Sequence, residues 1–154
     1  MEPKTFVHAE DGKQELMITR EFDLPVNLLF RAYTEPELVE QWMGNKVLKL
    51  ECRQYGCYQF EVKGKDGSVL FSANGVMHEF VPNQKITRTF EMENTAFPVQ
   101  LEFLEFFEIG FNNSRLTMHI VFKSVADRDR LLKMPFAEGI NMAHDRLQQT
   151  IGNL

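Results

Sequence analysis

Cysteine is nearly absent: Cys52 and Cys57 are the only two in 154 residues. Their spacing matches neither a Cys-x-x-Cys redox pair nor a zinc pattern, and there is no second pair. Free thiols in a reducing compartment are expected. Long apolar runs are also missing. None approaches the roughly 20 residues a membrane-spanning helix needs. The opening MEPKTFVHAEDGKQE is polar, without the apolar centre of a signal peptide, so a cytoplasmic protein is expected. Lys and Arg form no run and the net charge is −5, which argues against a nucleic-acid partner. No Gly-rich phosphate loop appears. Ser68, Ser72, Ser114 and Ser124 lack a Gly-x-Ser-x-Gly setting. No His stands at metal-ligand spacing from Glu or Cys. The expectation is therefore no metal, no cofactor and no assigned catalytic residue.

What is present is phenylalanine. There are 14 Phe and 8 Met, against one Trp and three Tyr. Phe brings large apolar area with no polar handle, and Met fills irregular gaps. Both suit either a large core or a greasy pocket. The length fits a single domain over residues 1–154.

The order of elements is legible from periodicity. Residues 1–14 read as a polar lead-in, frayed or a loose edge strand. ELMITREF alternates with period two, hence a strand. LPVNLLFRAY and TEPELVEQWMG follow as two short helices, with Asp23 and Thr34 as expected caps and Gly44 as the stop. From Lys46 the pattern is strand and turn: VLKLEC, GCYQFEVKG, VLFSANGVMHEFV, KITRTFEME, VQLEFLEFFEIG and RLTMHIVFK. Lys65-Asp66-Gly67 and Pro82-Asn83 mark hairpin turns. Gly75, inside a strand, predicts a bulge or bend. Six or seven strands joined by short turns suggest an antiparallel meander. The chain ends in helix from about Val125, which Pro135 kinks or splits. Beyond it Phe136, Ile140, Ala143, His144, Leu147 and Ile151 share one helix face.

Several stretches resemble a known family. In TREFDLPVNLLFRAYTEPELVEQWMG the relevant residues are Arg20, Phe22, Pro25, Phe30, Thr34, Pro36, Glu37, Leu38, Trp42 and Gly44. Gly56, Phe60, Asp66, Gly67, Gly75, Glu79, Pro82 and Ile86 follow in order, then Gly139 and Leu147. Together they are similar to the SRPBCC, START-like helix-grip superfamily, and within it to the activator of heat-shock-protein ATPase homologue family, over about residues 15–151. The resemblance implies an α+β helix-grip fold: a curved antiparallel sheet around a long C-terminal helix. It also implies ligand carriers, cyclases or co-chaperone domains as relatives, and fold does not choose among them. Three positions depart from the pattern. Met43 stands where an aromatic is usual, Ile140 where Trp is usual, and His144 where Leu is usual. The groove they line is expected to differ in shape and to be more polar.

Candidate residues follow. Trp42, Tyr58, Phe60, Phe71 and Met77 are expected as apolar walls of a cavity between sheet and helix, with Phe90, Phe103, Met118, Phe136 and Ile140. His144 or Arg88 would orient the polar end of a small hydrophobic or amphipathic ligand. Each has a plainer reading. His144 is a pocket group or acid–base residue, or a core histidine bonded to a carbonyl. Trp42 is a plug at the pocket mouth or plain core. Arg88 meets a ligand head, pairs with Glu105 across the sheet, or makes a structural ion pair. Glu105 shares a strand face with Leu101, Phe103 and Phe107 and is a candidate for burial with a raised pKa. His119 should face solvent. A ligand-binding module thus stands beside a protein-interaction domain and an enzyme acting on a hydrophobic substrate, and a homodimer is left open.

Overall fold

The alternating segments form one eight-stranded antiparallel sheet in a computed structural model that describes residues 4–154. Four helices complete the fold. The strands are β1 (Thr5–His8), β2 (Glu15–Phe22), β3 (Lys46–Leu50), β4 (Cys57–Lys63), β5 (Val69–Val81), β6 (Lys85–Met92), β7 (Gln100–Gly110) and β8 (Asn113–Val121). The helices are α1 (Val26–Thr34) and α2 (Pro36–Met43), between β2 and β3, then α3 (Val125–Lys133) and α4 (Phe136–Gly152). This is the expected α+β helix-grip arrangement, with one strand more than predicted. The extra strand is β1, in the polar lead-in; residues 1–3 of that lead-in lie outside the described residues.

The strand order β1-β2-β8-β7-β6-β5-β4-β3 departs from a simple meander. β3 to β8 run as neighbours, but β2 crosses over to pair with β8, Leu16 opposite Ile120 and Arg20 opposite Leu116. α1 and α2 occupy the connection that this crossover requires. Period-two alternation sends Leu16, Ile18, Arg20 and Phe22 of β2 to the buried face. On β8 it sends Ser114, Leu116, Met118 and Ile120 there. The buried faces of the strands and the apolar sides of α1, α2 and α4 make one continuous core.

The helix ends differ from the expected caps in detail. Asp23 does not cap α1, whose N-cap is Pro25 without a side-chain bond. Its carboxylate accepts from Asn113 at 3.0 Å instead. The Thr34 hydroxyl turns back to donate to the Phe30 carbonyl, and Glu35 takes the N-cap position of α2. Gly44 stops α2 as predicted, in the left-handed conformation at φ 68. Met134 and Pro135 split the terminal helix into α3 and α4, because proline cannot continue the ladder of helix hydrogen bonds.

At Gly75 the cause is close approach. A Cβ there would stand 2.0 Å from the Thr89 carbonyl oxygen and 2.5 Å from the Tyr58 hydroxyl. Tyr58 lies across this strand position so that its hydroxyl donates to the Thr89 carbonyl on β6. The bulge in β5 falls a few residues later, between Met77 and Glu79.

Candidate functional site

Strand parity decides what faces the interior. On β6 Ile86 and Arg88 are buried, and on β7 Glu102, Leu104 and Phe106 are. Arg88 sits opposite Glu102 in the β6–β7 register. The two form an ion pair at 2.9 Å, with Arg88 8% and Glu102 4% exposed. Gln100 donates to the other Glu102 oxygen at 2.7 Å. The Arg88 guanidinium lies 5.3 Å from the centre of the Tyr58 ring. Burial disfavours the Arg88 charge, but Tyr58 and the Glu102 carboxylate outweigh it and hold the guanidinium above its ordinary pKa. Burial also pushes the Tyr33 and Tyr58 hydroxyls well above the usual phenol range.

This geometry corrects two expectations. Arg88 pairs with Glu102, not Glu105. Glu105 lies opposite Lys85 and Thr117 and is exposed. Phe103 shares that outer face and stacks on His119, ring centres 5.6 Å apart, so it lines no interior wall. His119 is on the solvent side as expected, 2.6 Å from the Glu15 carboxylate. Periodicity separates the two faces correctly, but Phe103 as a cavity wall and Glu105 as a buried carboxylate put the wrong face inside. The register carried across the loop before β7 settles which face is inner.

Arg88 bonds to the protein through Nε alone among the described residues. Its two terminal nitrogens have no hydrogen-bond partner there, yet neither is among the fully sealed unpaired atoms, which are Asn45 Oδ1 and His144 Nε2. The same holds for the Tyr33 hydroxyl, on a residue 5% exposed. Tyr33 was missed by sequence reasoning; it sits one residue before a helix end, among aromatic neighbours Trp42 and Phe106. Met43, Val47, Leu50, Phe90, Phe136 and Ile140 are half-buried and packed against the core. A small hollow of about 20 Å³ touches Phe90, Gln100, Phe122 and Leu131, room for about one water.

The remaining predicted residues are placed as follows. Tyr58, Phe60, Met77 and Met118 are buried in the core. Trp42 is core as well: its indole N–H donates to the Ala32 carbonyl at 2.8 Å inside the α1–α2 packing. Phe71 is half-buried, opposite Val62.

His144 belongs to a separate polar cluster, between α4 and β1. Its Nδ1 is 2.7 Å from the Thr5 hydroxyl. Arg20 donates to Thr5, Asn141 and Asp145. The Thr5 hydroxyl and His144 Nδ1 share this hydrogen bond, and Nε2 is buried without a partner. Burial, with the nearby Arg20 charge, pushes the His144 pKa down to about 3. His144 therefore fastens β1 to α4 and does not converge with Arg88 and Glu105 as an acid–base trio. Arg20 was legible by parity, as it alternates with Ile18 and Phe22.

Cys52 and Cys57 are both free. Burial pushes the Cys52 thiol up to about 11, which keeps it protonated and unreactive. Among the described residues, no group of three or more His, Cys, Asp or Glu is placed to hold a metal ion. No helix there is long and apolar enough to cross a membrane.

The profile of the family described as "Activator of Hsp90 ATPase homolog 1-like protein" matches residues 23–152. The chain belongs to this family. No curated protein matches it. Among solved structures it is similar to protein Ms6760 from Mycobacterium smegmatis, at 22% identity over 96% of each chain and a TM-score of 0.83. A Rhodobacter sphaeroides protein gives a TM-score of 0.88 at 17% identity, over 98% of this chain and 99% of that one. Protein NE0264 from Nitrosomonas europaea gives 0.78 at 23%, over 94% and 97%. At such identities the likeness shows the fold alone.

Proposed function

We propose that this protein binds a small amphipathic molecule in the groove between the inner face of the sheet and α4. The apolar body lies against Phe90, Phe136 and Ile140, and the polar end meets Arg88. The observation that supports this reading is the pair of unpartnered terminal nitrogens on a buried arginine. A buried charge costs several kcal/mol in lost hydration, and unmade hydrogen bonds add to that cost. Such a group is retained where something completes it. His144, bonded to Thr5, stands away from this end.

Native and then denaturing mass spectrometry of the purified protein tests the reading. A small molecule released on unfolding supports it. A clean mass in both, together with no stabilisation by amphipathic probes, rejects it.

A second reading has its own support. The β7–β8 hairpin ends in Phe111, 89% exposed, next to the exposed Phe107 and Ile109. Apolar groups at a hairpin tip suit a protein partner, and the family description names an activator of a chaperone ATPase. Stimulation of Hsp90 ATPase that is lost in Phe111→Ser would support this reading. Unchanged ATPase in the presence of the protein would reject it.

A further inference from the structure

The chemistry of the groove's polar end is more specific than its location. Arg88 contributes up to four N–H bonds from its two terminal nitrogens, none of them used within the described residues. The Tyr33 hydroxyl likewise makes no hydrogen bond within the described residues, and like the Arg88 terminal nitrogens it is not fully sealed from solvent. Both side chains are more than nine-tenths buried. Their chemistry calls for a hydrogen-bond acceptor on the ligand, since an ammonium or other cationic head would face a guanidinium.

Acceptors come in two kinds, anionic and neutral, and Glu102 separates them. Its carboxylate is 2.9 Å from Arg88 Nε and buried with it, so the pair together carries no net charge. A ligand carboxylate placed at the terminal nitrogens would add a second buried negative charge beside Glu102. Two carboxylates sharing one guanidinium in a poorly hydrated site leave one charge uncompensated, and that is strongly disfavoured. A ketone, ester or amide oxygen accepts the same hydrogen bonds without that penalty. Gln100 already fills the second oxygen of Glu102, which holds this carboxylate in place.

We infer that the groove selects an uncharged carbonyl compound with an apolar body over the matching carboxylate, with Arg88 and Tyr33 as donors and Glu102 as the group that excludes anions. This rests on the groove reading above, and the test separates the two.

The experiment uses a matched pair, 2-acetylnaphthalene and 2-naphthoate at pH 7, titrated into the full chain and followed by calorimetry and amide NMR. The ketone is expected to bind at least about tenfold more tightly. Tyr33→Phe removes one donor and should weaken ketone binding by about fivefold while the fold is kept. Glu102→Gln leaves the Arg88 charge uncompensated and should invert the preference, so that naphthoate binds more tightly than the ketone. Where Glu102→Gln does not fold, Tyr33→Phe decides. Equal or tighter binding of naphthoate by the unmodified protein overturns the selectivity while leaving the groove reading intact. A ketone preference that neither variant moves also overturns it. Binding of neither compound removes the groove reading, and the selectivity with it.

Discussion

Adding one methyl group at position 75 brings a carbon to 2.0 Å from the Thr89 carbonyl oxygen. That oxygen is backbone, so nothing short of parting β5 from β6 relieves it. Gly75→Ala should cost about 3 kcal/mol, at the upper end of overpacking. Tyr58→Phe, which loses one hydrogen bond, should cost about 1. Chemical denaturation of the two variants checks the order, and the double variant should be no better than Gly75→Ala alone. His144 gives a prediction in pH. An unfolded histidine takes up a proton below about pH 6.5, while the folded His144 stays neutral down to about 3. Between those values the unfolded chain holds the extra proton, so stability falls as pH falls, by up to about 1.4 kcal/mol per unit. Above pH 6.5 the residue contributes no slope. His144→Leu should flatten the change in urea midpoint between pH 6.5 and 4.5, and an equally steep change in the variant would show that other groups carry it. At this scale the sequence was read well where alternation decides, as for Leu16 and Ile18 on β2. It was read badly at Glu102, whose partner is fixed by pairing across a loop with no signature for register.

Helix α3 shows how an element with little apolar face is held. It is short and mostly polar, and Arg128, its one fully buried side chain, carries the attachment. The guanidinium donates to the Glu10 carbonyl at 2.6 Å and to the Glu15 carbonyl at 3.1 Å, tying α3 to the turn between β1 and β2. Ser124 caps its start by accepting from the Asp127 N–H. Arg128→Met should destabilise the protein by about 2–3 kcal/mol, because two carbonyls and the Asp129 carboxylate lose charge-assisted donors from a buried guanidinium. Amide exchange should speed up first in α3 and in the Glu10–Glu15 turn, with β6 and β7 unchanged. Uniform acceleration across the sheet would contradict this local role. The helices themselves were legible from Pro36, Gly44 and Pro135, each of which acts through its own backbone. The caps were not, since Asp23 and Thr34 found partners that local spacing does not reveal: a strand 90 residues away for Asp23, and the preceding turn for Thr34.

For the whole molecule, the strand order is the property that sequence reading came closest to and still missed. Consecutive strands β3 to β8 follow from short turns, but β2 beside β8 is a long-range choice that burial of both faces makes. Pairings this distant close large loops before they gain anything, and folds dominated by such non-local strand pairing refold in milliseconds to seconds. Stopped-flow refolding should fall in that range, and a microsecond phase carrying the full signal would be inconsistent with the topology. The same arrangement bears on how the protein is made. Thr5 bonds to Asn141 and His144, 136 and 139 residues further along. On a ribosome, β1 emerges first and waits for the last helix to be synthesised. Throughout translation the inner face of β2 lacks both its sheet neighbour β8 and its cover α4. The apolar side chains of Leu16, Ile18 and Phe22 therefore stay without their native cover for a time set by the rate of protein synthesis and not by the rate of folding.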